Sequence, residues 1–145
     1  MVRPPGSIVR RIPVTTAAFH QLRQFDGRPG VSIAAKGAAL ELKLVRGDVE
    51  VRVVVPAEVL EWFVDVEQRP SGSRATDWCD YEGYDNRPVS ELDEDMAEEV
   101  TAFVSRLIER DLRYVGSKNR PDRGVLEWLI DGQWHQAVPF VVLAT

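Results

Sequence analysis

The sequence predicts an α+β fold, a mainly antiparallel sheet covered on one face by one long amphipathic helix. Three observations carry that expectation: alternating runs at 38–55 and 59–67, a helical stripe at 90–114, and a second hairpin signal near the end. One α+β domain is expected over 1–145, with residues 1–12 loosely ordered because two early prolines interrupt them.

The short helix comes first, in "TTAAFHQLRQF" at 15–25, and "GVSIAA" at 30–35 reads as a short edge strand. The run "AALELKLVRGDVEVRVVV" then sets Leu40, Leu42 and Leu44 against Glu41 and Lys43, the two-residue period of a half-buried strand. Val49, Val51, Val53 and Val55 repeat it, and Arg46-Gly47-Asp48 between the runs supplies a tight turn in which glycine takes positive φ. The hairpin accounts for that tripeptide without an adhesion role. Pro56 ends the second strand, since it has no amide proton for the ladder. In "VLEWFVDVE" at 59–67, Leu60, Trp62, Val64 and Val66 share one face, and Phe63 joins Glu61, Asp65 and Glu67 on the other.

Three strands with one apolar face need a cover. "SELDEDMAEEVTAFVSRLIERDLRY" at 90–114 places Leu92, Met96, Val100, Phe103 and Leu107 within about 80° of a helical wheel. Glu91, Glu94, Glu98 and Glu109 fall on the far side. Ser90 is the expected N-cap with Asp93 completing an approximate capping box, and Gly116 is the expected stop. Arg110 interrupts the last turn of the stripe, where its stem can snorkel. In "VLEWLIDGQWHQAVPFVVLA", Asp131-Gly132 joins two strand-like pieces, and Pro139 restricts the last piece to an edge.

Charge is uneven. Residues 1–55 hold nine Lys or Arg against four acids, residues 56–115 hold six against sixteen, and the remainder balances, for a net charge of −5. The acidic middle repels phosphate backbones and attracts basic partners, so nucleic acid is a poor candidate ligand. No apolar run approaches the roughly 18 residues of a membrane span. One cysteine and no secretory leader fit a cytoplasmic setting.

The stretch "DWCDYEGYDNR" at 77–87 packs four acids, three aromatic rings and the only cysteine between strand and helix patterns, and it reads as a connecting loop. A calcium loop fails there: counting from Asp77 puts Cys79 and Tyr81 at the third and fifth ligand positions. Zinc lacks a short-spaced ligand pair among His20, Cys79 and His135. No metal or cofactor is therefore expected. A cysteine nucleophile would need a base, and no assembled Cys-His signature is present. Among paired carboxylates, Asp80 and Glu82 have rings beside them and outrank the solvent-facing helix acids as an acid–base pair. "GRPG" at 27–30 lacks the lysine and helix context of a phosphate loop.

What these residues suit best is contact with a protein. Trp78, Tyr81 and Tyr84 offer large, stiff contact areas, while Asp77, Asp80, Glu82 and Asp85 select a basic partner. The expected function is a noncatalytic protein-recognition module for a basic protein, an inhibitor or immunity-like role included. Two alternatives stand beside it. One is a small hydrolase or ligand-binding domain with a pocket near Cys79, Asp80 and His135; the other is a structural or assembly protein, a helix-mediated homodimer among its forms.

The helical stripe yields the first test. Leu107→Asp should abolish cooperative thermal unfolding, since burying a charge there adds to the roughly 1.5–3 kcal/mol lost with the leucine. Glu98→Gln, on the far side, should leave Tm within about 2 °C of wild type.

Overall fold

Strand alternation organises the first half of the chain in the computed structural model, which describes residues 16–57, 60–69, 71–80, 88–120 and 122–137. Strands β1 (Val31–Lys36), β2 (Ala39–Arg46), β3 (Val49–Pro56), β4 (Glu61–Gln68) and β5 (Arg74–Asp80) form one antiparallel sheet in sequential order. Leu42, Val53 and Val64 fall opposite one another across β2, β3 and β4, so the apolar phases of three strands merge into one face. Gly47 closes the β2–β3 turn at φ 61°, a conformation that penalises any residue with a Cβ.

Helix α2 (Val89–Glu109) covers that face, and Leu92, Met96, Val100, Phe103 and Leu107 are all buried. Ser90 is not its cap. The chain enters the helix from Pro88, whose carbonyl accepts the Glu91 and Leu92 amides at 3.0 and 3.2 Å, and no side chain caps the start. Asp93 is turned elsewhere and accepts a hydrogen bond from the Ala17 amide. That amide lies in the first turn of α1 (Thr16–Leu22), the short helix read from the sequence, which has no acid of its own there. Asp93 thus serves α1 in the way a capping residue would. A 3-10 turn at Arg23–Phe25 follows α1 and buries Phe25 in the core.

The helix also stops earlier than its sequence period implies. Beyond Glu109 the chain turns extended at Arg110 and forms β6 (Leu112–Gly116), so Gly116 ends a strand and not a helix. Strand β6 pairs with β7 (Gly124–Ile130), and β7 pairs with β8 (Gln133–Gln136) across the expected Asp131-Gly132 turn, with Asp131 at φ 50°. These three strands make a second sheet, which settles a point the sequence leaves open, whether the two hairpins share one sheet. Both sheets meet α2. Phe103 lies 5.6 Å from Trp62 of β4 and 5.6 Å from Trp128 of β7, centroid to centroid, with rings tilted by 56° and 51°. The Arg110 guanidinium ends over Trp128, 5.1 Å from the ring centroid, so the residue that interrupts the stripe is used at the helix end.

Arg46 fixes the other side of that end. It belongs to the inner phase of β2, and its guanidinium donates to the carbonyls of Leu107, Ile108 and Arg110 at 3.3, 3.0 and 2.6 Å. The last carbonyls of a helix have no intrahelical donors, and the negative end of the helix dipole favours a cation there. The arginine of the Arg46-Gly47-Asp48 tripeptide is therefore half-buried in a structural role. The sequence expectations for residues 1–12 and for the final strand piece around Pro139 lie outside the described residues.

Arg46→Ala should lower stability by about 2 kcal/mol, a fall in Tm on the order of 5 °C, because charged hydrogen bonds to three carbonyls are lost together. Arg46→Lys should recover less than half of it, since an ammonium cannot reproduce the planar fork; thermal melts of the three proteins check the order.

Candidate functional site

The helices and the second sheet occupy the inner side of the five-stranded sheet, which leaves the outer phase of each strand to form a broad surface. One cross-strand row runs Ser32, Lys43, Arg52, Asp65, Thr76, and the next runs Ala34, Glu41, Val54, Phe63, Trp78. At the far end Glu61 stands opposite Asp80. The first row and its neighbours are ionic, and the second becomes aromatic toward β5.

Arg52 is the centre of the ionic half. Its guanidinium is 3.6 Å from Glu41, 3.2 Å from Asp65 and 3.4 Å from Glu67, and it also pairs with Glu50. Glu50 is only 1% exposed on this outer phase because Arg52 and Arg69 close over it, Arg69 at 2.5 Å. Partial burial works against the Arg52 charge, but Glu50, Asp65 and Glu67 outweigh it and hold the guanidinium above its ordinary range. Lys36 reaches Glu41 at 3.8 Å and Arg74 reaches Glu67 at 3.7 Å, both from exposed positions where single pairs contribute little. The network links all five strands on a face with little apolar contact.

Of the sequence-derived site, Trp78 and Asp80 take register positions on the aromatic half, whereas Asp77 takes the opposite phase, across from core residue Val64. Asp77, Trp78 and Asp80 belong to β5, opposite Val64, Phe63 and Glu61, so the first residues of the expected loop are strand. "RATDWCD" has no apolar phase of its own, and its strand form comes from pairing with β4. Tyr81, Glu82, Tyr84 and Asp85 lie outside the described residues. The structure brings Phe63 beside Trp78 in register, with half-buried Val54 as the next member of the row. Phe63 is the residue that the sequence reading did not nominate. An aromatic ring on the polar phase of an otherwise regular strand was its signal.

The residues of the alternative pocket come from both sheets. Cys79 pairs with Trp62 in the first sheet, whereas His135 pairs with Trp128 in the second and is exposed. Among the described residues, no group of three or more His, Cys, Asp and Glu side chains is placed to hold a metal ion. Also among them, no helix is long and apolar enough to cross a membrane.

Two acids on α2 have unusual environments. Glu99 falls in the middle of the apolar stripe and is 4% exposed; burial pushes its carboxyl up to about 7. Burial likewise raises Asp93, to about 6, with Glu94 pushing the same way and the Ala17 amide opposing both. Searches against protein-family models, curated proteins and solved structures return no match to the chain. Its own residues carry the functional reading.

The Glu99 environment has a pH consequence. The unfolded carboxyl ionises near 4.5 and the folded one near 7, so between those values the folded chain holds the extra proton. Stability should fall as pH rises through that window and stay reduced above it. Glu99→Gln should raise Tm by several degrees at pH 8, on the order of 2 kcal/mol, and by much less at pH 5. Melts of both proteins at the two pH values check the sign.

Proposed function

We propose that the protein is a noncatalytic recognition module that binds a basic protein through the outer face of its five-stranded sheet, in the manner of an inhibitor or immunity-like protein. The observation that carries this reading is the row Val54, Phe63, Trp78 lying next to the carboxylate pair of register Glu61 and Asp80. Aromatic residues on a regular strand are held by the backbone ladder before any partner arrives, so little entropy is lost on contact. The carboxylates around them favour lysine and arginine and accelerate encounter more than they deepen affinity.

A second feature supports the sign of the partner's charge. Glu91, Glu94 and Glu98 are exposed along the first half of α2, and Glu94 and Glu98 make no ion pair among the described residues. They lie across the sheet from the proposed face, so they contribute to the overall negative charge a basic protein meets at low salt and not to the contact itself. The absence of a match to known proteins leaves the partner to be identified by its chemistry: a basic protein, met in the cytoplasm, with a surface flat enough to lie on a sheet.

Affinity capture from native extract tests the reading. The wild-type chain should retain a basic protein at low salt and release most of it at high salt. A Phe63→Ala, Trp78→Ala double variant that keeps its circular dichroism should bind that protein at least about tenfold more weakly. Equal capture by the folded double variant would remove the outer sheet face from consideration.

A further inference from the structure

The two sheets do not close upon each other. Between β5 at the edge of the first sheet and β7 of the second runs a groove of about 600 Å3, within the usual range for small-molecule sites. Val64, Val66, Ala75, Leu126 and Ala137 give it an apolar lining. One end of it is built from backbone. Arg74 and Arg123 form an isolated parallel bridge, and the Arg74 amide donates to the Asp122 carbonyl at 3.0 Å. The Ser117 amide donates to the Arg123 carbonyl at 2.9 Å, which ties the same point to the end of β6.

Side chains stiffen that end further. The buried Ser73 hydroxyl and the Tyr114 hydroxyl share a hydrogen bond of 2.5 Å, and the Tyr114 ring lies against Gly124. A Cβ at Gly124 would come within 2.5 Å of that ring and of the Val115 carbonyl, so only glycine lets β6 and β7 approach as they do. Two arginines therefore line the groove from positions that the backbone fixes. Arg123 is exposed and makes no ion pair among the described residues. Among the described residues Arg74 reaches only Glu67, at 3.7 Å, and Glu67 is shared with Arg52. Arg74, Arg123 and Asp122 all belong to the groove lining, and the Arg74 guanidinium is drawn toward Glu67 of the outer face, which leaves Arg123 as the lining arginine without an ion pair among the described residues.

We propose that this groove binds a small carboxylic acid with an aliphatic body, its carboxylate on Arg123 and its chain along Val64, Val66, Leu126 and Ala137. A guanidinium forks onto a carboxylate through two parallel N–H···O bonds, and an ammonium-free, half-apolar groove rewards a ligand that is charged at one end only. Each methylene taken from water into the lining should strengthen binding by about fourfold. The site is separate from the outer sheet face, so either assignment can fail alone.

Titration calorimetry of the full chain with decanoate, and in parallel with decanol, tests it. One decanoate should bind per chain, more tightly than decanol. Arg123→Ala should weaken decanoate by about tenfold or more and leave decanol unchanged, and Ala75→Phe should weaken both by filling the groove. Because Ala75→Phe is able to disturb packing, amide chemical-shift mapping on the wild-type chain provides the second readout, with decanoate-induced shifts expected at 74–76 and 123–126. No decanoate binding, equal affinity for decanol, an unchanged Arg123→Ala variant, or shifts confined to another surface would each overturn the assignment.

Discussion

Phe103 is the constraint around which the molecule is arranged. Its ring touches Trp62 from one sheet and Trp128 from the other, so α2 is held between two β layers by a single run of aromatic contacts. Tilted aromatic pairs add to the area they bury, and three large rings in series leave little freedom in the relative position of the layers. The helix must end near Trp128 for the second sheet to form. Arg110 over that ring and Arg46 on the last carbonyls fix where it ends.

Charged groups are then placed by what the aromatic core leaves over. Arg46 at the helix end and Glu50 beneath two arginines meet charged or polar partners in their buried positions, and burial makes Glu99 in the stripe hold its proton to a higher pH. The outer sheet face shows the complementary solution. Lacking a covering helix, it is held in register by Arg52 among four carboxylates, and only toward β5 does it become aromatic. That gradient separates an ionic half, satisfied by its own pairs, from a half that the register makes aromatic.

The candidate sites differ in how legible they are. Trp78, Asp80 and the acidic character of the region can be read from the chain, because composition is local information. Phe63 was readable as a ring on the polar phase of a strand, but its meaning depends on having Trp78 opposite it, and that is a fact of pairing. The inter-sheet groove had no signature at all. Its lining comes from β4, β5, β7, the end of β8 and Ala137, and its rigid end depends on a bridge between residues 74 and 123.

By itself the sequence determined the local patterns: the β2–β3 hairpin, the apolar phase of β4, the five-residue stripe of α2, and the Asp131-Gly132 turn. Each is set by periods of two or 3.6 residues, or by the φ requirement of a turn, which operate over a few neighbours. Tertiary structure alone decided that "RATDWCD" becomes a strand, that the helical period breaks at Arg110 in favour of β6, and that the strands divide into two sheets. Those outcomes depend on hydrogen bonds and ring contacts between residues tens of positions apart, and propensity yields where such partners satisfy the backbone and bury the rings better than the local choice would.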